Sequence, residues 1–264
     1  MTYKWEELTS PQFAAAVEDV KGTCLVPCGI IERHGPHLPL GTDLMIGRVI
    51  AARAVELEPA ILFPDFYFGQ IYEARHQPGT LAFNSRVVFD LLENVCEEIA
   101  RNGLMKIVLM NAHGGNTHLL RYFAQCMLEK TREYAVYVIG PGQFKDDVRT
   151  QWEAMRESET DGHAGEMETS IIMAAHPDTV DMQACTDKAE PRGRLKHLKG
   201  VHTPIWWYAD FPDHYAGDGR VGTAEKGTFI IEHSARSVAE ALKIIKADTE
   251  TEALQREFYE RTLH

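Results

Sequence analysis

The stretch Leu25-Val26-Pro27-Cys28-Gly29-Ile30-Ile31-Glu32-Arg33-His34-Gly35-Pro36-His37-Leu38-Pro39-Leu40-Gly41-Thr42-Asp43 decides how this chain folds and where it works. Leu25 to Ile31 is an apolar run of the length of a buried strand. It empties into a glycine- and proline-rich loop carrying Glu32, His34, His37 and Asp43. An α/β enzyme builds its site in this way, at the ends of its strands. A carboxylate beside a core strand needs a partner, because burying it bare is costly. A divalent cation is the simplest one. The plain alternatives are a solvated polar turn, and for Asp43 a helix N-cap.

Two more loops share this grammar. Lys106-Ile107-Val108-Leu109-Met110 reads as a second buried strand and runs into Asn111-Ala112-His113-Gly114-Gly115-Asn116. The spacing there matches neither phosphate-binding glycine motif, and no lysine follows. Asp161-Gly162-His163-Ala164-Gly165-Glu166-Met167-Glu168-Thr169-Ser170 opens a helix running to Ala175. His163 and Glu166, three residues apart, are expected to face the same way on its first turn. Glu166 is taken as a metal ligand, His163 as the proton donor or acceptor, and Glu168 as a residue bonding backbone or neighbouring groups. In an open parallel sheet these loops converge, which assembles Glu32, His34, Asp43, His113 and Glu166. Mixed carboxylate and imidazole donors suit Zn, Mn or Fe. Five ligands exceed what one catalytic metal needs, so two ions bridged by one carboxylate, Asp43, fit the count better.

Outward from these loops, helices are expected at Pro11–Val20, Asp43–Leu57, Arg86–Asn102, Thr117–Arg132 and from Thr223 to about Thr251, the last broken near Gly227. Short strands are expected at Ile61–Phe63 and Tyr134–Ile139. Alternating strands and helices predict a three-layer α/β/α fold with a mostly parallel sheet. No linker or repeat divides residues 1–264, so one domain is expected. The irregular stretch 178–223, with Trp206-Trp207-Tyr208, is too long for an idle connection. No Ser or Cys stands in a nucleophile elbow.

Asp and Glu number 39 against 27 Lys and Arg, a net charge of −12. That balance offers a phosphate backbone no general attraction and argues against a nucleic-acid partner. The N-terminus shows no signal peptide, and no run reaches the ~18 apolar residues of a membrane span. The five cysteines read as free thiols in a reducing compartment, so a cytoplasmic location is expected.

The three loop motifs, in this order, resemble the creatininase (creatinine amidohydrolase) family, and His76 with Pro78-Gly79-Thr80 is similar to that family's pocket loop. The resemblance implies two divalent metals, a small-molecule substrate that His76 helps to bind, and a homohexamer. It places Glu32 and His113 on one metal and His34 on the other, with Asp43 bridging. Creatininases proper carry a glutamate two residues after the strand-end histidine; here that position is Gly115. The chain therefore resembles a Gly-Gly subgroup, and Glu166 is expected to supply the missing ligand. The activity implied is hydrolysis of an amide, or of a cyclic amide or ketone, by metal-activated water. The alternatives are a metal-dependent enzyme that opens or isomerises a keto-sugar or inositol derivative, and a non-catalytic metal-stabilised binding protein.

Overall fold

A computed structural model describes residues 3–142 and 144–262. Four parallel strands, β1 (Thr23–Cys28), β2 (Ile61–Leu62), β3 (Lys106–Asn111) and β4 (Ala135–Ile139), form one sheet in the order β2-β1-β3-β4. Helices α1 (Ser10–Asp19), α2 (Thr42–Leu57), α3 (Ser85–Arg101), α4 (Asn116–Cys126), α5 (Asp146–Met155) and α6 (Glu166–Ala175) are followed by the short α7 (Trp206–Asp210). Two long helices, α8 (Ala224–Ala247) and α9 (Glu250–Thr262), end the fold.

The two faces of the sheet follow from the two-residue period of the strands. Leu25, Val108 and Met110 face a core closed by Ile46 and Ile50 of α2, Ile172 of α6, and Val238 and Leu242 of α8. The alternating residues Cys24, Val26, Ile107 and Leu109 face the other core, with Ala16 of α1, Leu92 and Ile99 of α3, and Phe123 of α4. This is the α/β/α sandwich expected of the sequence. The order of strands reverses direction between β1 and β3, where their carboxyl ends lie level, Cys28 opposite Asn111. Loops leaving a parallel sheet at such a switch point diverge to opposite faces and open a crevice.

Several boundaries differ from those read in the sequence. β1 ends at Cys28 rather than Ile31, because its pairing with β3 stops there and the chain turns off to bond Phe66 and Leu40 through the Gly29 and Glu32 amides. A Cβ on Gly29 would lie 2.6 Å from the Leu44 Cα, so glycine lets this exit run against the start of α2. The expected break near Gly227 is absent and α8 passes through it. A Cβ there would stand 1.9 Å from the Ser170 carbonyl oxygen, so glycine brings α8 onto α6. α8 instead ends at Ala247, where Asp248 starts α9. α4 stops at Cys126 and tightens into one 3₁₀ turn, short of Arg132. Among the described residues no helix is long and apolar enough to cross a membrane. All five cysteines are free, three of them buried.

Candidate metal centre

Three of the expected ligands meet at the switch point. Glu32 follows β1, His113 follows β3, and Asp43 sits in the first turn of α2; all three are buried. Asp43 is not the helix cap, a position taken by Gly41. His113 Nε2 lies 3.0 Å from the Gln70 carbonyl, which only accepts, so Nε2 carries the proton. Nδ1 is left facing Glu32 Oε1 at 3.0 Å and Asp43 Oδ2 at 2.9 Å. One nitrogen lies off the hydrogen-bond direction for both, and neither oxygen has a hydrogen-bond partner among the described residues. Ligands held 2.0–2.2 Å from a common ion stand about 3.0–3.5 Å apart, so the three atoms fit one divalent cation.

A second set adjoins the first. His34 Nδ1 donates to its neighbour's carbonyl, Glu32 O, at 3.2 Å. Its Nε2 faces Asp43 Oδ1 at 3.2 Å and Glu168 Oε2 at 3.9 Å. Asp43 therefore offers one oxygen to each set, and the groups able to hold an ion are Glu32–Asp43–His113 and His34–Asp43–Glu168. Glu32, His34 and His163 form a third, overlapping group.

The carboxylates and imidazoles shift one another strongly. Burial alone would lower both imidazoles, yet Glu32 and Asp43 hold His113 well above its usual range, and Asp43 raises His34 to about 10. Glu32 and Asp43 are held low by the same histidines against the opposing effect of burial. Burial pushes Glu168 up to about 7, with Asp43 adding to the rise and His34 opposing it. Burial and the neighbouring His34 push His163 down to about 3, so it is neutral at physiological pH. Its Nε2 donates to the Arg33 carbonyl at 2.9 Å, which leaves Nδ1 as the proton acceptor.

Glu166 lies apart from the other expected ligands. α6 begins at Glu166, not earlier; His163 precedes it on a bridge to Ala216, and Ala164 turns at φ 53°. His163 and Glu166 therefore share no helical face. Glu166 points away from the centre into a buried pair with Lys226 Nζ at 2.6 Å, and accepts from the Ser158 amide at 2.7 Å and the Glu157 amide at 3.0 Å. Those partners outweigh burial and keep its carboxyl low. Glu168, read in the sequence as a supporting residue, reaches the centre because it lies two positions on, while its Oε2 also closes the Ala164 turn at 2.6 Å.

The other expected residues fall around this centre. His76, expected to help bind substrate, is exposed and donates to the Pro212 carbonyl at 2.8 Å with its ring against Tyr208. His37 is buried and bonded to Thr169 at 2.8 Å, tying the first loop to α6. Asn111 holds the His113 amide, and Asn116 holds the Gln70 amide at 2.9 Å, fixing the carbonyl that orients His113. At Gly115 a Cβ would lie 2.4 Å from His113 Nε2, so a larger residue there would have to displace that ring. Sequence reading missed Gln70 and His214, which no spacing marks. Arg33, Arg192, Asp210, Asp213 and Tyr215 help line a cleft of about 380 Å³ past the same loop.

A parallel α/β/α sandwich with such a cluster at its switch point has the makings of a metal-dependent enzyme. The chain belongs to the creatininase family, whose model, described as creatinine amidohydrolase, matches residues 6–242. It is 25% identical to the creatinine amidohydrolase of Pseudomonas putida over 260 residues, 90% of this chain and 95% of that one. It is 30% identical to the mycofactocin precursor peptide peptidase of Mycolicibacterium smegmatis over 232 residues, 83% of each. The 3-dehydro-scyllo-inosose hydrolase of Thermotoga maritima is 25% identical over 222 residues, 76% of this chain and 70% of that one. A crystal structure of creatinine amidohydrolase superposes with a TM-score of 0.80 at 22% identity, covering 94% of this chain and 99% of that one.

Proposed function

We propose that this protein hydrolyses a C–N bond in a small polar amide or cyclic amide, with two divalent ions held by Glu32–Asp43–His113 and His34–Asp43–Glu168. The observation that carries the reading is Asp43, whose two oxygens each face a separate set of inward donor atoms. Solved creatininases of a Zn-Zn type and in an Mn form support Zn or Mn for the pair, and Fe is a further candidate from the donor set. When bound, the ions supply Lewis acidity and lower the pKa of a coordinated water toward ~7.

The chain's own residues do the rest. Asp43 fixes the spacing of the two sets, and Glu32 is held in place by the His214 ring. His163, anchored through Nε2, would take a proton from the attacking water at Nδ1 and pass it to the departing nitrogen. Glu168 takes the role that Gly115 leaves open. The 380 Å³ cleft, with both arginines and carboxylates on its wall, suits a small polar substrate. A homohexamer belongs to this proposal and is tested by sedimentation.

Metal analysis of the purified chain, with hydrolysis of an amide panel in ¹⁸O-water, tests the reading. About two ions per chain and ¹⁸O in the product acid bear it out. Turnover without incorporated label selects the ring-opening or isomerising chemistry, and metal without turnover of any substrate selects the binding protein.

A further inference from the structure

Glu32 is a fully buried carboxylate at the head of the site, and only one of its oxygens faces His113. The other, Oε2, is engaged by His214 Nε2. On the far side of that ring, His214 Nδ1 receives the Trp207 indole N–H at 3.0 Å. The indole nitrogen can only donate, so His214 Nδ1 must accept and its proton must sit on Nε2, directed at Glu32. The tautomer is fixed by chemistry rather than assigned. Neither nitrogen of His214 then has a lone pair left for a metal.

The segment holding the ring is itself constrained. His214 is 2% exposed and adopts φ 54°, a left-handed backbone that a residue with a Cβ pays for. The conformation is held from both sides: its amide bonds the Phe211 carbonyl at 3.1 Å, and its carbonyl takes the Gly35 amide of the metal loop at 3.1 Å. Trp207 is seated by Phe211, ring centroids 4.9 Å apart, and stands edge-on to His163 at 5.9 Å.

We propose that Trp207 and His214 form a positioning relay that binds Glu32 through Oε2 and presents Oε1 alone to the ion shared with Asp43 and His113. The inference rests on the two-metal reading above. A partner of this kind behind a ligating carboxylate typically sets metal affinity by 10- to 100-fold. The segment that carries the relay is also one wall of the cleft, through Phe211, Pro212, Asp213 and Tyr215. Substrate-side sequence and ligand geometry are thereby joined in one stretch of chain.

The test is Zn²⁺ and Mn²⁺ affinity at each site, by chelator competition on the full chain, with melting of the stripped protein measured in parallel. His214→Leu should weaken one of the two ions by about 10- to 100-fold and leave the other within threefold. Trp207→Phe, which keeps an aromatic ring but removes the N–H, should weaken the same ion by a smaller factor. His214→Gln, whose amide can donate to Glu32, should restore most of the loss. Wild-type affinity at both sites in His214→Leu and in Trp207→Phe overturns the relay and leaves the two-metal reading standing. If His214→Leu does not fold, Trp207→Phe decides alone. Equal weakening of both ions, or a fall in melting temperature with no change in affinity, also overturns the relay. A wild-type chain that binds neither ion removes the functional reading itself, and the relay with it.

Discussion

Replacing Glu166 and Glu168 separately by alanine should produce opposite results in two measurements. Glu166 is fully buried, and its carboxylate accepts from Lys226 Nζ, the Ser158 amide and the Glu157 amide. Removing one partner of a buried ion pair costs about 3–5 kcal/mol, because the other charge is left in a poor solvent. Lys226 keeps the exposed Glu157 carboxylate at 2.7 Å and the Val221 carbonyl at 2.9 Å, which argues for the lower end, about 3 kcal/mol. With an unfolding entropy of about 2.1 cal/mol/K per residue, that is a fall in Tm of roughly 5 °C for a chain of this length. Glu168 is only half-buried, bonds the Ala164 amide alone at close range and faces like charge from Asp43. Its removal should change the stability of the chelator-stripped protein by less than about 1 kcal/mol, the worth of one ordinary hydrogen bond. Metal content reverses the ranking: Glu166→Ala should keep two ions and Glu168→Ala should keep one. The melting is measured without metal, since any bound ion adds its own stabilisation. Loss of an ion in Glu166→Ala with unchanged Tm, and two ions retained in Glu168→Ala, would refute the reasoning.

Asp43→Asn should abolish binding at both sites rather than one, checked by metal analysis after gel filtration; retention of one tight ion would remove its bridging role. Gly115→Ala should weaken metal binding through His113, whose ring must move from a Cβ built 2.4 Å away, whereas Gly114→Ala, with nothing within 4 Å, should bind as wild type. Asp248 starts α9, accepting from the Glu250 amide at 2.9 Å and from the Thr251 and Tyr137 hydroxyls, and these bonds lower its carboxyl to about 2. A carboxyl lowered on folding stabilises above its unfolded value near 4 and loses that contribution as pH falls toward 2. Asp248→Ala should therefore cost about 1 kcal/mol in urea unfolding at pH 7, a difference that narrows below about pH 4.

The sheet and most of the centre were legible because their determinants are local. Leu25–Ile31 and Lys106–Met110 are unbroken apolar runs, and each is followed at once by its ligands, so the topology of a parallel sheet brings Glu32 and His113 together. Which of Glu166 and Glu168 lies beside His34 and Asp43 depends on where a helix starts. A start at Glu166 instead of before His163 rotates every later side chain by 100° per residue. That start is set by long-range contacts: His163 pairs with Ala216, and the Glu166 carboxylate is claimed by Lys226, 60 residues on. No pattern within the 161–170 loop contains either partner. His214 was illegible for the same reason, lying 182 residues from the carboxylate it holds.

The difference between local and distant determinants has a chemical counterpart. The atoms facing the proposed ions come from loops whose sequences announce them, while Gln70, His214 and Trp207, which aim those atoms, come from stretches that look irregular. Ligand identity selects which ions bind, but the partner on a carboxylate's other oxygen sets how the ligand is presented and how basic it is. The stretch bearing Trp207 and His214 also lines the cleft through Phe211, Pro212, Asp213 and Tyr215. A substitution that reshapes the cleft there acts on Glu32 as well, through a tautomer that the indole N–H and the Glu32 carboxylate together enforce. The proposed relay couples metal affinity to substrate choice, so variants of 207–215 should change them together, whereas variants at Arg192, paired with Asp213 on the cleft wall, should change substrate preference alone.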